Sequence, residues 1–192
     1  MIVVTLMCLS ALANAHAETG VAGGLLSGLM HPLRGLDHLV AMVAVGLWGA
    51  QLRNPAIWLL PITFPVVMAC GGLLGLAGVP LPGIELGIAL SALALGIMVA
   101  LSARPPLWVA ALLVGGFAVF HGHAHGTELP ASANALAYGV GFVTSTGLLH
   151  VCGIVLGVLT RWPAGAKLVR VLGGLIALLG TYFLSVLAGV SG

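Results

Sequence analysis

Apolar stretches about as long as a membrane-spanning helix recur along almost the entire chain, separated by short segments rich in proline, glycine and arginine. A helix needs about 20 predominantly apolar residues to cross a bilayer. Backbone polar groups must be paired inside lipid, so only helices and closed barrels can cross it, and the alternation of a barrel strand is missing here. The sequence therefore predicts an all-α polytopic membrane protein with six transmembrane helices, the first of them broken. The six stretches cover roughly residues 21–52, 55–77, 84–102, 107–122, 133–160 and 166–190.

Charged residues make up only 5% of the chain, whereas a soluble domain has about 25%. So few charges cannot cover a globular surface, which excludes an ordinary soluble fold. The net charge of +2 is small and dispersed, so we predict no nucleic-acid partner. The three cysteines lie singly in apolar runs without a Cys-x-x-Cys pair, which argues against a disulfide framework and against a zinc ribbon.

The first 17 residues have the pattern of a secretory signal peptide. A short apolar run over residues 1–12 is followed by Ala-Asn-Ala at 13–15 and Ala-His-Ala at 15–17, and both triplets fit the small-x-small cleavage pattern. We therefore expect residues 1–17 to be removed and residues 18–192 to form a single six-helix transmembrane domain. The mature N-terminus is then extracytoplasmic.

The basic residues predict the orientation of the chain. With an extracytoplasmic N-terminus, the ends of the first, third and fifth stretches face the cytoplasm, and all basic residues except Arg34 follow those ends, as the positive-inside rule requires. The start of the first stretch and the end of the fourth then share the outer side. The basic residues assigned to the cytoplasm are Arg53, Arg104, Arg161, Lys167 and Arg170.

A polar cluster at residues 31–38 interrupts the first apolar stretch with two histidines, an aspartate and an arginine. A charged side chain at the centre of a membrane helix costs roughly 2.5–3.5 kcal/mol, so ionisable residues in such a run are functional candidates. Arg34 can offset the charge of Asp37 three residues on. Alternatively, Asp37 orients His38 or binds a cation directly.

Pro32 and Gly35 predict where the first helix breaks. Proline is unfavourable deep inside a helix but is tolerated in its first turn. We therefore expect a short first helix that ends at Met30 and a new helix that starts near Pro32.

A second polar cluster, at residues 120–128, follows the fourth apolar stretch. Its glycines at positions 122 and 126 allow backbone turns that a continuous helix does not, so we expect an outward loop. Imidazole suits Ni, Cu, Zn and Fe, and carboxylates add harder oxygen ligands. The candidate ligands in this cluster are His121, His123, His125 and Glu128.

Two further ionisable residues are secondary candidates. Glu85, at the outer start of the third stretch, is either a metal ligand or a carboxylate favoured by the helix N-terminus. His150, deep in the fifth stretch, is either a packing residue or a later station for a cation or a proton.

Together the two clusters resemble the signatures of the HupE/UreJ family of nickel/cobalt permease-like membrane proteins. Residues 31–38 are similar to the first signature, and residues 120–128 match the second, Phe-His-Gly-x-Ala/Val-His-Gly-x-Glu. His123 occupies the variable position of the second signature, and Glu85 is similar to a family acidic residue. Both are therefore secondary candidates for metal ligands. The resemblance implies that the metal ligands are His31, Asp37, His38, His121, His125 and Glu128.

The resemblance also implies uptake of Ni²⁺ or Co²⁺ for the maturation of hydrogenase or urease. We therefore expect a multi-pass protein of the bacterial cytoplasmic (inner) membrane that is not an enzyme and has no prosthetic group. It moves a divalent metal ion inward by secondary or facilitated transport, with Ni²⁺ as the first candidate and Co²⁺ as the second. No Gly-x-x-x-x-Gly-Lys-Ser/Thr loop occurs, so the chain does not itself couple transport to ATP.

Two other classes of function stay open at this point. One is an intramembrane zinc-dependent hydrolase, in which a bound Zn²⁺ activates water. The other is a membrane metal sensor or chaperone that binds the ion without moving it. In every case the expected partners are a divalent metal ion and the lipid bilayer, with the hydrogenase or urease maturation machinery added by the resemblance.

Overall fold

The computed structural model describes residues 20–129 and 134–189, and over these ranges the fold is all-helical, as expected. The signal peptide expected at residues 1–17 lies outside the described residues. The helices are α1 (Gly20–Arg34), α2 (Leu36–Leu52), α3 (Ala56–Leu76), α4 (Ile84–Leu101), α5 (Leu107–Thr127), α6 (Ala135–Gly157), a short 3-10 helix (Val158–Arg161) and α7 (Pro163–Leu187).

Five helices, α3 to α7, are long and apolar enough to cross a membrane, and the span formed by α6 continues through the 3-10 helix to Arg161. The pair α1 and α2 passes the same test only when taken together, and its two axes are bent by 83°. The described part of the chain therefore contains five spanning helices, or six if the bent pair makes one crossing. The predicted stretches correspond closely to these helices, apart from the end of the fourth.

The break in the first stretch lies at Gly35, one of the two residues predicted to mark it, whereas the predicted helix end at Met30 and new start near Pro32 were wrong. α1 continues through Pro32 to Arg34, where only the last turn follows the proline. Gly35 adopts an extended conformation (φ −93°, ψ 108°) and Asp37 lies in the first turn of α2. A carboxylate there is stabilised by the positive end of the helix dipole, which favours starting the new helix after Gly35.

α2 forms the centre of the bundle. Residues 40–51 are all buried except Val43, and the helix packs against α3, α4, α6 and α7. A helix that is apolar on all sides is expected in such a position. Two polar side chains near its end are paired with α4 and the segment that follows it: Gln51 Nε2 donates to the Val99 carbonyl of α4 (3.0 Å), and Trp48 Nε1 to the Ala103 carbonyl just beyond α4 (3.0 Å).

The predicted outward loop at residues 121–128 was also wrong, because α5 continues to Thr127. The glycines do not turn the chain here. They let α5 approach α3 so closely that a Cβ at Gly122 would overlap the Met68 carbonyl, and one at Gly126 the Gly72 carbonyl. Small residues at a membrane helix interface allow this kind of backbone contact. The second polar cluster therefore lies on the last two turns of a helix.

The basic residues other than Arg34 gather at the end of the bundle that is opposite the polar clusters. Arg53 follows the C-terminus of α2, whereas His38 lies in its first turns. Arg53 and Arg161 line one cavity of about 510 Å³, and Arg170 Nε donates to the Ala100 carbonyl at the end of α4 (2.8 Å). The arrangement agrees with the positive-inside rule; which end faces the cytoplasm stays a prediction.

We predict that Gly122→Ala destabilises the protein, whereas Gly116→Ala does not. A methyl group at Gly122 would push against the α3 backbone, while one at Gly116 has no atom within 4 Å. Overpacking of this kind typically costs about 1–3 kcal/mol, whereas alanine at an open helix position gains up to about 1 kcal/mol over glycine. Thermal unfolding in detergent measures the difference. Equal melting temperatures for the two variants would contradict the close α3–α5 contact.

Candidate metal centre

Two groups of metal-ligand side chains lie where α1, α2 and the end of α5 meet. His38, His121 and His125 form the inner group, and His31, His125 and Glu128 form the outer group. In each group, one ligand atom per residue lies within 4.8 Å of the others. His125 belongs to both groups. The structure thus brings together both polar clusters, which are far apart in the sequence.

The Asp37 carboxylate orients the His38 side chain. His38 Nδ1–H donates to Asp37 Oδ1 (2.9 Å), and the His38 backbone N–H donates to the same oxygen (2.9 Å). His38 Nε2 is then the acceptor nitrogen; it is buried and has no partner within the described residues. Of the roles considered for Asp37, the structure shows the orienting one. A carboxylate behind a histidine is the usual outer-shell arrangement of metal sites, where it sets the tautomer of the ligand.

Ser91 of α4 has the same effect on His121. The single hydroxyl proton of Ser91 goes to the Ile88 carbonyl (2.6 Å), so the hydroxyl oxygen accepts from His121 Nε2–H (2.8 Å). The lone pair of His121 is therefore on Nδ1, which is buried and unpartnered within residues 20–129 and 134–189. Sequence reasoning missed Ser91. The only available signal was a hydroxyl in an otherwise apolar helix.

His125 stands between the two groups. Its ring is nearly buried, and neither nitrogen has a hydrogen-bond partner in the part of the chain that the structure describes. The ring centroid lies 4.7 Å from that of His31, 4.4 Å from that of His38 and 4.1 Å from that of Phe142. A histidine that belongs to both groups and makes no competing hydrogen bond is suited to pass a cation from one group to the other.

The outer group is open to the surface, and the inner group is more buried, with the His38 side chain 12% exposed. His31 Nε2–H donates to Glu128 Oε2 (3.1 Å), and the same oxygen lies 3.9 Å from His125 Nδ1. The exposed fraction of the side chain is 51% for Glu128, 29% for His31 and 5% for His125, and His121 is fully buried. The two groups therefore form a short path from the surface into the bundle.

A family model described as HupE / UreJ protein matches residues 4–183, which include every residue of both groups. This chain belongs to the HupE/UreJ family. Protein HupE of Rhizobium leguminosarum bv. viciae is 48% identical to it over 184 residues, which cover 95% of this chain and 96% of that protein. No solved structure matches the chain.

The secondary candidates of this HupE/UreJ protein lie outside both groups. His123 is on the opposite side of α5, where its Nε2–H donates to the Val79 carbonyl (2.6 Å). Glu85 is exposed in the first turn of α4. His150 is buried in α6, where its backbone carbonyl packs against Gly46 of α2, about two helical turns past His38. Helical geometry explains the separation of His123, since residues two apart on a helix point in different directions.

Aromatic side chains that the sequence did not single out complete the site of this HupE/UreJ protein. The Phe64 ring of α3 packs edge-on against His121 with 5.4 Å between centroids. The Tyr138 ring of α6 lies 5.8 Å from His31. Such rings keep water away from the imidazoles and fix their orientation, which favours a dehydrated cation over a hydrated one.

The donor set suits a borderline transition-metal ion. The inner group offers imidazole nitrogens alone, and the outer group adds one carboxylate; imidazole binds Ni, Cu, Zn and Fe, whereas Mg²⁺ and Ca²⁺ require oxygen. Two carboxylates, Asp37 and Glu128, lie beside the path, and their two negative charges match a divalent cation. The basic residues other than Arg34 gather at the opposite end of the bundle.

We predict that Ser91→Ala weakens metal binding about 10–100-fold, the usual effect of removing an outer-shell partner. Without the hydroxyl, His121 is free to take the other tautomer and its ring loses its fixed orientation. Equilibrium dialysis of the detergent-purified protein with Ni²⁺ measures the affinity. Ser185→Ala is the matched control, because Ser185 also donates to a carbonyl three residues back, that of Tyr182, but contacts no histidine. Equal affinities for both variants would remove Ser91 from the site.

Proposed function

We propose that this HupE/UreJ protein carries a divalent transition-metal ion into the cytoplasm, with Ni²⁺ as the first candidate and Co²⁺ as the second. The observation that carries the proposal is the pair of ligand groups joined at His125, one exposed and one buried. A site for tight storage would not need an exposed group that leads into it. A transport path needs a point of capture, a point of dehydration and a ligand common to both.

Capture takes place at the outer group. The Glu128 carboxylate is half-exposed and attracts the hydrated cation, while His31 supplies the first nitrogen. The hydrogen bond from His31 Nε2 to Glu128 (3.1 Å) must be replaced by bonds from both side chains to the metal. For this, His31 releases a proton or changes its tautomer. Because the resting contact already holds both side chains together, little reorganisation is required.

Transfer inward proceeds through His125. The ion exchanges the ligands of the outer group for His38 and His121 while His125 stays bound, so its coordination is never fully lost. Asp37 and Ser91 keep the lone pairs of those two histidines available. Binding must stay weak enough for release, since conduction requires sites that an ion both enters and leaves.

The membrane potential provides a driving force for inward movement. Each positive charge that moves inward gains about 2.3 kcal/mol per 100 mV, and a divalent cation carries two. This agrees with facilitated or secondary transport, which needs no nucleotide-binding site on the chain. The proposed location is the bacterial cytoplasmic membrane, with the ligand groups on the extracytoplasmic side and the maturation machinery of hydrogenase or urease as the destination of the metal.

A zinc-dependent hydrolase is the rival that one observation favours. His38, His121 and His125 form a three-histidine group, and catalytic zinc sites have three protein ligands and one open position for water. The outer group argues for transport, because a hydrolase gains nothing from a second set of ligands that shares a histidine with the first. A sensor or chaperone would bind the ion but show no flux.

We predict that purified protein in liposomes with an inside-negative potential accumulates Ni²⁺, and that His125→Ala abolishes the uptake. Losing His125 removes a ligand from both groups at once. Asp37→Ala and Glu128→Ala are expected to reduce uptake about tenfold or more, as losses of orientation and of capture, respectively. A metal-sensitive dye inside the vesicles records the initial rate.

His123→Gln is the control for these variants, because His123 bonds to the Val79 carbonyl and lies away from both groups. It is expected to keep most of the wild-type rate. Stoichiometric Ni²⁺ or Zn²⁺ binding without any accumulation would reject transport. Turnover of a lipid or peptide by the zinc-loaded protein would then favour the hydrolase.

A further inference from the structure

Deeper in the bundle, α6 carries two buried polar side chains that the described structure leaves without partners. His150 and Thr146 lie four residues apart, on one face of the helix, and are 1% and 0% exposed. Neither ring nitrogen of His150 nor the hydroxyl of Thr146 has a hydrogen-bond partner among the described residues. Buried polar groups are nearly always satisfied, so three unpaired atoms on one helix face indicate a missing ligand.

The neighbouring threonine shows what Thr146 does differently. Thr144 Oγ1 donates to the Val140 carbonyl four residues back (2.7 Å), which is how a threonine in a helix usually satisfies its hydroxyl. Thr146 makes no such bond. Its hydroxyl oxygen is therefore available to something outside α6.

A backbone carbonyl of α3 adds a third polar group beside His150. α3 contains two prolines, Pro61 and Pro65, and Pro65 has no N–H to pair with the carbonyl of Pro61 four residues back. That carbonyl lies next to the His150 imidazole, but outside hydrogen-bonding geometry. An imidazole nitrogen, a hydroxyl oxygen and a carbonyl oxygen thus come from two helices that pack against each other.

A phenyl ring separates these groups from the inner histidine group. The fully buried Phe64 ring contacts both His121 and His150, with 5.4 Å between ring centroids in each pair. Both contacts are edge-on. An ion that moves from His121 to His150 therefore passes this ring.

We propose that His150, with Thr146 and the Pro61 carbonyl, forms a second station for the transported divalent metal ion, and that the Phe64 ring closes the path between the stations. The inference rests on the proposed transport function. The second station has one nitrogen donor, whereas the inner group has three, so it binds Ni²⁺ more weakly. A weaker site further along the path favours release toward the cytoplasm. The ring excludes water between the stations until its side chain rotates.

A binding experiment tests the second station without any flux measurement. The variant with His31→Ala, His38→Ala and His125→Ala lacks two of the three ligands of each group. Ni²⁺ titration of this detergent-purified protein is expected to show one residual weak site, which is lost when His150→Leu is added. The residual Ni²⁺ should show coordination by a single imidazole in X-ray absorption spectra. A residual site that persists after His150→Leu, or the absence of a residual site at millimolar Ni²⁺, overturns the proposal.

Flux measurements test whether the station is used in transport. In liposomes, His150→Leu is expected to lower the initial rate of Ni²⁺ uptake about tenfold while the affinity of the tight site stays within about twofold of wild type. Thr146→Val keeps the shape of the side chain and removes its hydroxyl, and should lower the rate several-fold. Thr144→Val is the matched control and should transport at the wild-type rate, because that hydroxyl is already paired within α6.

The outcomes separate this inference from the proposed function. Wild-type rates for both His150→Leu and Thr146→Val overturn the second station and leave transport standing. A wild-type protein that shows no uptake of any metal overturns transport, and the binding experiment then still decides whether His150 holds an ion. If His150→Leu does not fold, Thr146→Val against Thr144→Val decides.

Discussion

The metal centre depends on the contact between the backbones of α3 and α5. At Gly122 no side chain separates the two helices, and a Cβ there would overlap the Met68 carbonyl. Glycine by itself favours a turn over a helix by about 1 kcal/mol relative to alanine, yet α5 stays helical because the packing outweighs that preference. Helical geometry then places His121 and His125 on the face toward α2 and turns His123 away toward α3 and its following loop.

The bend at Gly35 supplies the other half of the arrangement. On one continuous helix, His31 and His38 would lie about 10 Å apart along the axis. Because α1 and α2 meet at 83°, both rings instead contact His125, with centroid separations of 4.7 Å and 4.4 Å. Gly35 also leaves room for the paired side chains behind it: a Cβ at this position would lie 2.9 Å from Asp37 Oδ1.

Sequence reasoning predicted the spanning helices and the meeting of the two polar clusters, since both follow from apolar length and from the direction in which each helix crosses. Sequence reasoning failed where a residue is compatible with two different local structures. Glycine 122 fits a turn as well as a close helix contact, and Pro32 fits a first turn as well as a last one. Ser91 was overlooked because its importance comes from His121, thirty residues away, and a serine in an apolar helix has no distinguishing pattern.

The sequence by itself determined that the chain consists of apolar helices long enough to span a membrane and that its polar residues include candidate ligands for a borderline metal. Both are properties of local composition, because the thickness of a bilayer sets the length of an apolar run and the donor atom of each side chain sets which metals it prefers. Only the tertiary structure decided which histidine nitrogens have a free lone pair and how the two candidate ligand groups are arranged. A neutral histidine has one nitrogen lone pair available for a metal. Which nitrogen carries it depends on the group that accepts a hydrogen bond from the N–H of the other nitrogen. For His121 that group is the Ser91 hydroxyl, which lies on a different helix.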